Sequence, residues 1–117
     1  MLYDKRWEAP TVPVELEPWR RLLLDAADLL ETHKWCQGSL ARGNAVCAVG
    51  SVYLAHFGDR ETVVEWSVHP AVTEAIEMVA RHIGTEVAEW NDRSGRTKAQ
   101  VIAMFREVAN GRLNDAL

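Results

Sequence analysis

The segment Asn44-Ala45-Val46-Cys47-Ala48-Val49-Gly50-Ser51-Val52-Tyr53-Leu54-Ala55-His56-Phe57-Gly58 constrains this chain most. Its apolar residues fall at nearly every angle of a helical wheel. A helix that is apolar all round must be surrounded by other elements, so this one is expected at the centre of the fold. Asn44 is the predicted N-cap, and Gly58 suits the residue just past the end. Gly50 lies inside the helix, where glycine costs about 1 kcal/mol relative to alanine. A close approach by another backbone at Gly50 is the expected compensation.

A central helix needs amphipathic neighbours, and the sequence supplies them. Pro18 at a first helical position opens a helix to about His33, with Leu22, Leu23, Ala26, Leu29 and Leu30 at helical spacing. Pro70 opens another, with Val72, Ile76, Val79, Ala80 and Ile83 on one stripe before Gly84. Thr97-Lys98-Ala99-Gln100 fits a capping box at the head of a helix that buries Val101, Ile102, Phe105 and Val108 and ends at Asn110-Gly111. The fold class is therefore all-α, a compact bundle of about four helices. The β-branched run 62–66 suits either a short extended element or a loop with buried anchors. Residues 1–16, with Pro10 and Pro13, form an extended N-terminal arm; 17–111 form a single helical domain; 112–117 fray.

The 117 residues, 48% hydrophobic and 26% charged, suit one ordinary globular domain. Residues 1–92 carry 8 basic against 15 acidic side chains, and residues 93–117 carry 5 against 2. An acidic body argues against nucleic-acid binding as the main task. The start, Met1-Leu2-Tyr3-Asp4-Lys5-Arg6-Trp7, has no apolar targeting run, and no segment is apolar for long enough to span a membrane. A cytoplasmic setting with two reduced cysteines is expected.

Trp35-Cys36-Gln37-Gly38, Cys47-Ala48-Val49-Gly50, Trp90-Asn91-Asp92 and Gly95-Arg96-Thr97 together resemble an uncharacterised family of small proteins from actinobacteria and their phages. The resemblance covers about residues 18–109. It implies that origin and a cytoplasmic protein, and it brings no catalytic residues with it.

Several roles are open to these residues. His33, Cys36, Cys47 and His56 are ligand types that zinc accepts, but Cys47 and His56 stand nine residues apart, on opposite sides of one helix. Cys36 or Cys47 with His56 or His33 as base and Asn91 or Asp92 as orienter has the parts of a cysteine hydrolase or transferase. Against both stands a plainer role, two buried cysteines acting as small apolar residues. Asp92 and Arg96 can pair across a turn that locks the last helix. Alternatively Trp35, Gln37, Trp90, Asn91, Asp92 and Arg96 form one binding surface, since aromatic walls with a few polar groups make ligand pockets and Trp and Arg dominate protein hot spots. For DNA, Arg93, Arg96, Lys98 and Arg106 are the available cations, but 85–96 is too long for the turn of a helix-turn-helix. His69 and His82 have no assigned role.

The leading expectation is a small binding or regulatory protein, not an enzyme and without a cofactor. It acts on a protein partner or by self-association through the Trp35-Cys36-Gln37-Gly38 and Trp90-Asn91-Asp92 loops. Whether those loops meet is a question for the structure.

Overall fold

The computed structural model describes residues 16–58 and 69–111. The expected arm, the extended element at 62–66 and the frayed C-terminus lie outside them, apart from Leu16. Among the described residues the chain runs α1 (Pro18–Thr32), β1 (Lys34–Trp35), β2 (Ala41–Arg42), β3 (Ala45–Val46), α2 (Ala48–Phe57), α3 (Pro70–Ile83), α4 (Val87–Asn91) and α5 (Lys98–Asn110). The fold is mainly helical but not purely all-α, because a small sheet in the order β1-β3-β2 inserts between α1 and α2. Each strand is two residues long, too short to show the alternation by which a strand is recognised in sequence.

The long helices follow from their sequences. Pro18 starts α1, where its missing N–H costs nothing. Trp19, Leu22, Leu23, Ala26, Ala27 and Leu30 bury one face of it. That face packs along α5, whose Val101, Ile102, Met104, Phe105 and Val108 close the core. At the head of α5 the Thr97 side chain accepts from the Gln100 N–H, and the Gln100 side chain accepts from the Thr97 N–H. At its foot the Arg20 guanidinium donates to the Ala109 carbonyl at 2.8 Å and to that of Gly111, satisfying carbonyls that a helix end leaves bare. Gly58 and Gly84 end α2 and α3 in the left-handed conformation, φ +86° and +77°.

Two local expectations are corrected. Asn44 does not cap α2. With Gly43, at φ +60°, it forms the two-residue loop between β2 and β3, where Arg42 pairs with Ala45 and Ala41 with Val46. The N-cap is Cys47, whose sulfur accepts from the Gly50 N–H at 3.4 Å. Val46, expected on the helix, is in β3. The expectation at Gly50 holds: a Cβ there would stand 2.2 Å from the Leu40 carbonyl oxygen. That is far inside contact distance, and only glycine lets the β2 side of the sheet lie against α2.

Candidate functional site

The two tryptophan signatures meet. The link is Asn91, which is fully buried at the end of α4 rather than in the loop expected there. Its Oδ1 accepts from the Trp35 indole N–H at 2.7 Å and from the Ala48 N–H at 3.0 Å. Its Nδ2 donates to the Cys36 carbonyl at 3.2 Å and to Asp92 Oδ1 at 2.9 Å. Two acceptor sites and two donor hydrogens are all that an amide has, so Asn91 is saturated. One side chain thereby ties β1, the head of α2 and α4 together. The Ala48 bond also satisfies one of the bare N–H groups at the start of α2.

Around this hub the rest of Trp35-Cys36-Gln37-Gly38 folds onto the 91–93 backbone. Gln37 Nε2 donates to the carbonyls of Asn91 (2.9 Å) and Arg93 (3.0 Å). The Gly38 N–H, on a residue at φ +80°, donates to Asp92 Oδ1 at 2.8 Å. That bond, and then the one from Asn91, holds the Asp92 carboxyl below its ordinary value. The expected Asp92–Arg96 pair gives way to these contacts. Arg96 instead donates through Nε to the Trp90 carbonyl at 3.0 Å and lies flat over the Trp90 ring at 3.6 Å. Trp90 is half-buried and keeps part of its surface in solvent.

The thiols and histidines are placed differently from the metal and catalytic sets. Cys47 is buried, and burial pushes its thiol up, away from the reactive range. The Cys36 thiol donates to the Ser39 carbonyl at 3.4 Å. His33 is exposed just past the end of α1, with Nδ1 turned back to the Leu29 carbonyl at 3.2 Å. His56 lies nine residues beyond Cys47, about 13 Å along α2 at 1.5 Å per residue. Its ring packs edge-on against Phe57 and stands 4.0 Å from that of His69. Burial, and then the His69 charge, lower its affinity for a proton. Among the described residues no three metal-binding side chains are grouped so as to hold an ion. His33, Cys36, Cys47 and His56 are not brought together.

Two features escaped the sequence reading. His69 is the N-cap of α3, its Nδ1 accepting from the Ala71 N–H at 3.2 Å; its position just before Pro70 was the signal. Gly43-Asn44 is a pair that favours two-residue hairpins, and it marks the sheet edge beside the site.

Lys34, Arg42, Arg93, Arg96 and Lys98 stand on the two segments, 34–44 and 90–98, with Asp92 as the one acid in either. Lys34, Ala45 and Arg42 form a row across the three strands. Lys98 donates to the His33 carbonyl at 3.1 Å, while Arg106, further down α5, is paired with Asp28 and Glu31. Among the described residues no helix is long and apolar enough to cross a membrane.

The chain belongs to a family of unknown function, DUF6197, whose family model matches residues 15–111. No curated protein matches it. No solved structure matches it.

Proposed function

We propose that this member of a family of unknown function is a non-catalytic binding module, and that its partner is a protein presenting an acidic segment. The working face is the corner made by residues 34–44 and 90–98. The observation that carries this is the charge reversal there: five cations against one acid on a chain of net charge −4, with that acid already engaged by Gly38. Complementary charge steers association and rejects wrong partners, and the Arg96–Trp90 stack joins the two residue types that most often anchor protein interfaces. The saturated Asn91 hub holds the face rigid before any partner arrives, which lowers the ordering cost of binding. The same saturation leaves the hub no spare polar group for chemistry. The setting is cytoplasmic, where both thiols are kept reduced, and the origin that fits is an actinobacterium or its phage.

The test uses a fluorescent glutamate–tyrosine copolymer peptide and an oligothymidine of matched charge, titrated with the purified chain at low and physiological salt. The expected result is salt-dependent peptide binding that falls at least tenfold in Arg42→Glu/Arg93→Glu with an unchanged melting temperature. Equal binding by that variant would refute the face, and tighter binding of the oligothymidine would refute a protein partner.

A further inference from the structure

The basic corner ends in an open strand edge. The sheet runs β1-β3-β2, so β2 has a neighbour on one side only among the described residues. Its pairing with β3 fixes where its backbone groups point. The Cys47 N–H donates to the Leu40 carbonyl at 3.1 Å, which makes Leu40–Cys47 a hydrogen-bonded pair. Antiparallel partners alternate between bonded and non-bonded pairs, so Ala41 and Val46, next in register, form a non-bonded one. The Val46 carbonyl agrees with this, since it accepts from the Cys36 N–H on the β1 side at 3.1 Å. The N–H and C=O of Ala41 therefore point out of the sheet. The carbonyl accepts from the Ser39 hydroxyl at 3.2 Å and has room for a second bond. The N–H has no partner among the described residues. An edge group of this kind is a template for another strand.

The side chains of the same three strands say what that strand must carry. Trp35, Val46 and Ala41 pack on the core. Lys34, Ala45 and Arg42 form the opposite row, with Lys34 and Arg42 exposed. A strand added beside β2 extends that row by one place, about 4.8 Å from Arg42. An acidic residue there makes a favourable cross-strand pair. A second copy of this chain would instead bring another Arg42 to the same edge, and like charges repel. A helix has its own backbone groups already bonded and offers nothing to the Ala41 N–H. We infer that the acidic segment proposed above as partner is extended and binds as an added strand on the outer edge of β2. Its acids stand in the row with Arg42 and alternate with apolar residues on the other face. The inference rests on the basic-face reading and adds how the partner is held: Arg42 supplies the charge, and Ala41 supplies the backbone bonds.

The probe is a fluorescent, end-blocked heptapeptide of alternating glutamate and valine, titrated with the full chain at low salt and read by anisotropy. A second peptide of the same sequence carries a methyl group on every backbone nitrogen, which keeps its charge and removes its donors. On the protein, Ala41→Pro removes the outward N–H of β2. Proline is accepted on an edge strand where the N–H faces away from the sheet, so the melting temperature should hold. Each change is expected to weaken binding at least tenfold. In the wild-type complex the Ala41 amide should exchange with solvent at least tenfold more slowly than in the free chain. Undiminished binding by Ala41→Pro and by the methylated peptide, together with loss of binding in Arg42→Glu/Arg93→Glu, would overturn strand addition and leave the basic face standing. Undiminished binding by the charge variant would overturn both. Where Ala41→Pro does not fold, the methylated peptide and the Ala41 exchange rate decide the question.

Discussion

The α1–α5 face and the corner where α4 meets the strands are built from opposite chemistries. Along α1 and α5 the contact is made by apolar side chains that repeat every three or four residues, and Phe105, Leu23 and Leu30 are fully buried. At the corner the buried centre is an amide, Asn91, and the neighbouring segments are joined by directional bonds to Trp35, Cys36, Gln37, Gly38 and Ala48. Apolar packing tolerates small shifts and spreads its stabilisation over many contacts. A buried polar hub tolerates very little, because each group it leaves unpaired costs about 1–3 kcal/mol. The helical face therefore sets how stable the domain is. The corner sets how exactly one strip of surface is held.

The largest expected effect lies on the helical face. Phe105→Ala should cost about 3–5 kcal/mol through lost burial and the cavity left behind, read as a fall in the urea midpoint with the slope unchanged. Next comes Asn91→Ala, at about 3 kcal/mol, since it leaves the Trp35 and Ala48 donors and the Cys36 acceptor without their partner. The sharper measurement on that variant is amide hydrogen exchange. Residues 34–48 should lose protection while α1 and α5 keep theirs, and a uniform loss over the whole domain would erase the distinction between the two regions. Gly50→Ala tests the junction of sheet and helix. Its methyl group meets the Leu40 carbonyl, so the variant should be less stable by about 1–3 kcal/mol even though alanine favours helix. A more stable variant would show that the backbones do not approach. Arg106→Ala should leave the thermal melt nearly unchanged, as for other exposed ion pairs.

The smallest effect is one of pH. The folded-state value of Asp92 lies below its unfolded one, so its contribution is complete above about pH 4 and is lost as pH falls through the lowered value. Asp92→Asn should flatten the acid limb of the stability curve by lowering stability slightly at neutral pH, with stability in acid below the lowered value nearly untouched. An unchanged limb would mean that the Gly38 bond contributes nothing in solution.

Helix ends were the most legible part of the fold. Pro18, Gly58, Pro70, Gly84 and the Thr97–Gln100 box each act within one turn, so their consequence is written beside them. Gly50 was legible by a different route: a costly residue in a buried helix implied a close backbone, though not which one. The strands were not legible, since two-residue strands leave no period. The cap of α2 was misassigned for a related reason. Asn44 has the better capping side chain, but it is taken by the hairpin, and Cys47 is the residue that stands at the helix entry. At the site, the residues Trp35, Gln37, Asn91 and Asp92 stood out in the sequence as signatures. That they meet, and that Asn91 is the buried one, depends on partners 43 to 56 residues away. Arg96 likewise stacks on Trp90 and donates to its carbonyl instead of pairing with Asp92.

Sequence alone determined the mainly helical class, the long helices with their buried stripes and the need for glycine at position 50. These rest on periodicity and on backbone preference, which operate over a few residues. Tertiary structure decided the sheet, the Cys47 cap and the convergence of the two signatures on Asn91. A hydrogen bond needs two particular groups within a few ångströms of each other, and only the folded chain brings groups so far apart in sequence to that distance.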